Sequence, residues 1–286
     1  MILIADSGST KCDWMIVSDQ SRTIAKTMGF NPFFHSEELV TSKLAENEVL
    51  MNHANAIDSI FYYGAGCSSE SRNEILRKAL ASKFPNASVI MVAQDLDGAA
   101  YATIGHGSGI ACIIGTGSNS CYFDGTVVHD KIPALGYVMG DEGSGSYFGK
   151  ILLSNFLYER LPSELAKELQ QTYDLTREGI LSAVYNQPNA NVYLASFMRF
   201  VSSHKTHPYF HKMIYDGLYH FASIHIACYD NYKETEVHFV GSIAHYFRDE
   251  LDQVASELGF TIGNIVKKPI DALADYHIKL QENITQ

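Results

Sequence analysis

Two short turns rich in glycine and hydroxyl groups each join a pair of apolar, β-rich runs, and this repetition constrains the fold more than any other feature. The first lies in IADSGSTKCDWMIV (residues 4–17) and the second in IIGTGSNSCYF (residues 113–123). Aligning Gly8 with Gly117, 109 residues apart, also matches Ser7 with Thr116, Ser9 with Ser118, Thr10 with Asn119 and Cys12 with Cys121. Asp6 falls opposite Gly115 in that alignment, so only the first copy keeps a carboxylate. A hairpin used twice predicts two related domains.

The rest of the pattern agrees with an α/β layer. Residues 2–5, 14–18, 59–63 and 88–92 read as strands, while 37–52, 71–82 and 97–104 read as helices, an alternation that predicts a partly parallel sheet. A second cycle opens with a strand at 110–114. It continues through a mostly helical stretch from 149 to about 231, strands at 237–240 and 261–266, and a final amphipathic helix over 270–280. We therefore expect one domain from residues 1–108 plus 270–286 and a second from 109–269.

At 286 residues with 46% apolar content, the chain can fill two cores. No apolar run approaches the ~20 residues that cross a bilayer, and no basic leader opens the chain, so a cytoplasmic protein is expected. A formal charge of −11 argues against nucleic acid or an anionic membrane as partner. A small anion held by backbone amides stays compatible with it. Five widely spaced cysteines without a C-x-x-C pair point to buried free thiols rather than a disulfide frame or structural zinc.

Backbone amides of a tight Gly/Ser turn converge on a concavity suited to anionic oxygens, yet such turns also join strands with no ligand at all. Duplication favours the functional reading, because two such turns could grip the two ends of a triphosphate. The unshared carboxylate, Asp6, suits a single magnesium ion reached through water. Neither a Walker P-loop nor a dinucleotide fingerprint occurs. His204, His207 and His211 have a spacing that could face a metal, but Pro208 interrupts them and no carboxylate or cysteine accompanies them in sequence, so we read a surface or cleft-edge cluster. Asp141 and Glu142 are adjacent on a loop, unlike the separated carboxylates of a glycosidase. No G-x-S-x-G elbow occurs.

DSGSTKCDW (6–14), IIGTGSNS (113–120) and FVGSIA (239–244) together resemble the phosphate and adenosine motifs of the actin/hsp70/sugar-kinase superfamily. Within it, GTGSN followed by LGYVMGDEGSG (135–145) resembles the N-acetylglucosamine kinase-like members of the BadF/BadG/BcrA/BcrD ATPase family. The resemblance spans nearly the whole chain. It implies two ribonuclease H-like (actin-like ATPase) domains with a nucleotide and sugar cleft between them, and ATP-dependent phosphorylation of an N-acetylated amino sugar such as N-acetylglucosamine at its 6-hydroxyl.

The resemblance also assigns residues. Asp95 would be the general base, with Asp97 as alternative and a helix N-cap as the bland account of either. Gly8, Ser9, Thr10, Lys11, Thr116, Gly117, Gly241 and Ser242 would bind ATP, Asp6 would hold Mg2+, and Asn31, Asn119, Gly136 and Asp141 would hold the sugar. Leu135 and Tyr137 depart from the family's usual aromatic or histidine. Kinases of N-acetylmuramic acid or glucosamine stay open as alternatives. So does a dehydratase-activating ATPase, which would need cysteines such as Cys112 and Cys121 for an iron–sulfur cluster. A homodimer is also left open.

Overall fold

The computed structural model, which describes residues 1–18 and 21–285, begins with the expected hairpin. Strand β1 (Ile2–Ser7) pairs antiparallel with β2 (Lys11–Val17), and β2 with β3 (Arg22–Met28). The expected helix over 37–52 is two helices, α1 (Glu37–Ala45) and α2 (Glu48–His53). Asn47 causes the break: it caps α2 by accepting from the Leu50 N–H at 3.1 Å and donates to the Lys26 carbonyl at 2.9 Å. Strand β4 (Ser59–Gly64), helix α3 (Glu70–Lys83), strand β5 (Val89–Gln94) and helix α4 (Asp95–Thr103) follow. The sheet order is β3-β2-β1-β4-β5, with β1–β4 and β4–β5 parallel.

A second five-stranded mixed sheet carries the other hairpin. It contains β6 (Gly109–Ile114), β7 (Ser118–Phe123), β8 (Val128–His129), β9 (Glu236–Val240) and β10 (Thr261–Val266), in the order β8-β7-β6-β9-β10. This repeats the first sheet's order. Between β8 and β9 runs the helical stretch: α5 (Gly136–Met139), α6 (Gly145–Leu157), α7 (Ser163–Tyr173), α8 (Arg177–Tyr185), α9 (Ala190–Ser196), α10 (Met198–Ser203) and α11 (Pro208–His225). Helices α12 (Ser242–Tyr246) and α13 (Arg248–Leu258) separate β9 from β10, and α14 (Ile270–Thr285) ends the chain. The chain divides into two compact units, one of residues 1–107, 123–128 and 268–286, the other of 108–122 and 129–267.

Ile2 begins β1 and Gly109 begins β6, while Lys11 begins β2 and Ser118 begins β7, so the strand starts of the two hairpins lie 107 residues apart where the turn residues match at 109.

In the first unit both sheet faces are covered, as a partly parallel sheet requires. Leu3, Ala5, Trp14 and Ile16 face the α1–α3 layer with Leu44, Leu76 and Leu80, while Ile2, Ile4, Met15 and Tyr63 pack with Ile270, Leu273 and Ala274 of α14. Trp14 is fully buried, and its indole N–H donates to Thr27 Oγ1 at 2.9 Å. In the second unit Ile110, Cys112, Ile114 and Phe239 build one core with the buried faces of α6, α11 and α13. Among the described residues no helix is long and apolar enough to cross a membrane.

Candidate functional site

In the first unit, the turn between β1 and β2 is closed by the Gly8 N–H donating to the Lys11 carbonyl at 3.0 Å. Gly8, Thr10 and Lys11 are exposed and Ser9 is half-buried, so the tip is open to a ligand. The chain leaving β3 passes close enough that a Cβ on Gly29 would strike the Gly8 carbonyl, which is why a glycine stands there. Side chains alternate across a strand, so Asp6, Lys11 and Asp13 share one face, and Asp6 lies directly opposite Asp13 in the ladder. Lys11 Nζ pairs with Asp13 Oδ2 at 2.5 Å. This sets the lysine against a carboxylate of its own hairpin rather than leaving its charge to a phosphate alone.

Asp13 is buried, and its second oxygen, Oδ1, has no hydrogen-bond partner. Asp6 is pushed up from 3.8 to about 7, first by burial and then by the charges of Asp13 and Asp95, against a smaller opposing effect of Lys11. The site therefore has more negative charge than its own lysine balances. A divalent cation fits this donor set at Asp6 and Asp13. No group of three or more His, Cys, Asp or Glu side chains among the described residues could cage a metal. An ion here would complete its shell with water and nucleotide oxygens, as Mg2+ does in phosphoryl-transfer sites.

Asp95 is the first residue of α4, at the end of β5, and Gln94 is the N-cap. The capping role falls to Asp97, whose Oδ2 accepts from the Gln94 N–H at 3.2 Å in a capping box. The two aspartates thus separate: Asp97 serves the helix, while the charge of Asp95 reaches Asp6 and Cys67. Asn31 follows Phe30, whose N–H donates to Ser7 Oγ at 2.9 Å and whose carbonyl accepts from Tyr62 Oη at 2.9 Å. Its own Oδ1 accepts from the Phe33 N–H at 2.9 Å, and its amide lies where a Cβ on Gly66 would stand.

In the second unit, the turn between β6 and β7 is closed by the Gly115 N–H donating to the Gly117 carbonyl at 2.9 Å. Its outer carbonyls are taken by the start of α6: the Gly145 N–H donates to Gly115 O at 2.8 Å and the Ser146 N–H to Thr116 O at 3.0 Å. The GDEGSGS segment is thereby fastened onto the turn. Asp141 has a left-handed φ of 57°, and its Oδ1 accepts from the Ser118 N–H at 3.3 Å. A Cβ on Gly117 would stand 2.9 Å from its Oδ2. Burial raises the Asp141 carboxyl above its ordinary value, partly offset by the Ser118 N–H.

Gly241 has φ 124°, and a Cβ there would strike the Ile114 carbonyl, so the β9–α12 turn lies against the end of β6. Ser242 opens α12. The structure thus brings Thr116, Gly117, Asp141 and Gly241 together at one end of the second sheet. Asn119, next to Ser118, points to the opposite face of β7, with its Oδ1 accepting from the Ser120 N–H at 2.9 Å. Gly136 has φ 70° and opens α5 in free space, so its requirement is conformational.

Several side chains escaped sequence reasoning. Asp13 could have been found from strand alternation alone. Glu142 reads in sequence only as a loop carboxylate beside Asp141, and its pairing with His225 at 3.4 Å could not be found, because 83 residues separate them. Carboxylates also accompany all three clustered histidines, contrary to expectation: His204 with Glu168 at 3.1 Å, His207 with Glu164 at 3.5 Å and His211 with Glu250 at 2.9 Å. These come from α7 and α13, which sequence proximity could not reveal. Cys112 and Cys121 are fully buried in the core.

No family model matches the chain, and no curated protein does. Solved structures do. A protein from Porphyromonas gingivalis, provisionally named an N-acetylglucosamine kinase, is 36% identical over 98% of this chain and 99% of its own, with a TM-score of 0.92. One from Chromobacterium violaceum, provisionally given the same name, is 16% identical over 96% and 98%, with a TM-score of 0.73. A ROK family glucokinase from Streptomyces griseus, solved with glucose and AMPPNP, is 13% identical over 97% and 98%, with a TM-score of 0.54. The last two share the two-domain actin-like ATPase fold, and by its identity to the first this chain belongs to the family of the Porphyromonas gingivalis protein.

Proposed function

We propose that this chain is an ATP-dependent kinase of an N-acetylated amino sugar, transferring the γ-phosphoryl group of ATP to the 6-hydroxyl of N-acetylglucosamine. The observation that carries the reading is the convergence of Asp6, Asp13 and Asp95 at the strand ends beside an open Gly-Ser-Thr turn. Phosphoryl transfer asks a protein chiefly for positioning and charge balance, and these residues suit that work. Asp95 accepts the proton of the attacking hydroxyl as its oxygen bonds to phosphorus and ADP departs. In the first unit, backbone and hydroxyl groups of Gly8, Ser9 and Thr10 are assigned to phosphate oxygens, with Lys11 adding positive charge, and in the second unit those of Thr116 and Gly117 are assigned likewise. Gly241 and Ser242 lie on the adenosine side. Mg2+ at Asp6 and Asp13 supplies charge neutralisation of the phosphates when bound. Asn31 in the first unit and Asn119, Gly136 and Asp141 in the second are assigned to the sugar, because polar groups that pair with its hydroxyls discriminate against an analogue lacking one better than an apolar wall does.

The family assignment at 36% identity supports this reading. Burial of Cys112 and Cys121 speaks against a cluster-bearing activator, which needs exposed ligands. A coupled ADP-release assay with Mg2+ across N-acetylglucosamine, glucosamine, N-acetylmannosamine and N-acetylmuramic acid tests it. Sugar-dependent ADP release, highest with N-acetylglucosamine, is expected. Release from none of the four would refute the kinase.

A further inference from the structure

Beneath the loop at 132–135 of the second unit lies a cavity of about 120 Å³. Ser118, Asp141, Glu142 and His225 form its polar side, and Leu135 and Ile224 belong to its apolar side. No lysine or arginine lines it among the described residues. Two of its residues have no place in the mechanism above. Glu142 and His225 meet at 3.4 Å between Oε2 and Nε2, with side chains only 15% and 4% exposed.

Their surroundings fix them tightly. Ser118 Oγ donates to the Glu142 carbonyl at 2.7 Å, and Ser120 Oγ, on the same face of β7, donates to the His225 carbonyl at 2.7 Å. The Phe221 ring stacks on His225 with 4.8 Å between centroids and 16° between planes. Gly143 passes α11 so closely that a Cβ would stand 2.9 Å from Phe221 Cβ.

The protonation of His225 follows from its partners. Its Nδ1 is buried and has no partner, while Nε2 faces a carboxylate. A proton on Nε2 gives Glu142 a donor and leaves only an unused lone pair on Nδ1. Protonating Nδ1 as well would bury an unpaired N–H, consistent with a histidine pushed below its ordinary value by burial. His225 is thus a neutral donor that aims Glu142, and Glu142 stays an acceptor.

We propose that Glu142, aimed by His225, is a specificity-determining acceptor in the substrate site, taking an N–H or O–H donor on a neutral substituent of the sugar and excluding substituents that carry a carboxylate. This rests on the kinase reading and deepens it. Asp141 and Glu142 present two carboxylates to a cavity whose lining carries no lysine or arginine, Lys150 acting on Asp141 from outside that lining, so an acidic substituent meets like charge there. The acidic sugar among the candidates, N-acetylmuramic acid, is therefore selected against. His225 touches no substrate and is a positioning residue.

Steady-state kinetics and nucleotide-free calorimetry with N-acetylglucosamine and N-acetylmuramic acid test this. Glu142→Gln, nearly isosteric, should raise the KM and Kd for N-acetylglucosamine about tenfold, the loss of one charge-assisted hydrogen bond. The KM for ATP should move less than about twofold. The same variant should narrow the kcat/KM preference over N-acetylmuramic acid. His225→Phe should reproduce the KM rise, and His225→Gln, which keeps a donor, should restore most of it. An unchanged sugar KM and preference in Glu142→Gln overturns the proposal while leaving the kinase standing. Equal losses in both substrates' KM values with a lowered thermal midpoint also overturn it, by assigning a structural role. A wild-type protein that releases no ADP refutes the kinase reading, and calorimetry then decides the inference: no binding of N-acetylglucosamine overturns it too.

Discussion

Replacing Asp6 with asparagine relieves the crowding of carboxylates at the end of the first sheet without changing the shape of the side chain. The unfolded chain releases the Asp6 proton near 3.8, whereas the folded protein holds it to about 7 because burial, Asp13 and Asp95 all oppose the charge. Between those values the folded state binds more protons than the unfolded one, so the stability contributed by protonated Asp6 is lost as pH rises. At about 1.4 kcal/mol per unit the whole span would amount to roughly 4 kcal/mol. Asp6 is only partly buried, and solvent screening reduces this to about 2 kcal/mol. Asp6→Asn carries no such proton. It should exceed the parent by about 2 kcal/mol at pH 8, with the advantage fading toward pH 4. Urea unfolding followed by the fluorescence of Trp14, the one tryptophan, measures both proteins across this range. Added Mg2+ at pH 8 should stabilise the parent and leave the variant unmoved, since only a native-state binder raises stability. A difference between parent and variant that is flat from pH 5 to 8, or an Asp6→Asn protein less stable at pH 8, would refute the reasoning.

Three further outcomes are expected. Asp95→Asn should lower kcat about 10²- to 10⁴-fold with the ATP KM and thermal midpoint preserved, as loss of a general base requires; steady-state kinetics beside calorimetry checks this. Gly117→Ala places a Cβ 2.9 Å from Asp141 Oδ2 and should destabilise by about 1–3 kcal/mol in denaturant unfolding, with a raised sugar KM. Buried His277, whose Nε2 lies 2.7 Å from Tyr63 Oη, is pushed down from 6.5 to about 4. The unfolded imidazole takes a proton that the folded one refuses, so stability falls as pH drops from 6.5 to 4, by up to about 3 kcal/mol. His277→Gln should flatten that acid limb.

Strand and helix alternation was legible in the sequence because local periodicity reports burial directly. Failures came where tertiary contacts override it. Strand β3 exposes Arg22, Ile24, Lys26 and Met28 and buries only Ala25 between half-buried Thr23 and Thr27, so its apolar residues lie on the wrong face for an inward-facing pattern, and it forms because β2 offers an edge. The offset of 109 between hairpins matched residue types along the turns. The strand starts lie 107 residues apart, so residue likeness along a turn does not by itself place the strands on either side of it.

The candidate site divides along the same line. The backbone devices that the sequence offers are its turn glycines: a Cβ on Gly117 would meet Asp141 Oδ2 and one on Gly241 would strike the Ile114 carbonyl, while Gly8 has room for one. What the sequence could not express is how charge accumulates. Asp6 and Asp13 become one electrostatic unit only through the antiparallel ladder, and Asp95 joins them only because β4 carries β5 to the same sheet end. The same holds for Glu142, an ordinary loop carboxylate until α11 brings a buried imidazole against it from 83 residues away. Motifs mark where backbone must bend. Charge pairing, which decides what such a bend can bind, is a property of sheet order and helix packing, so the residues most worth mutating here are those that the fold, rather than the motif, assembled.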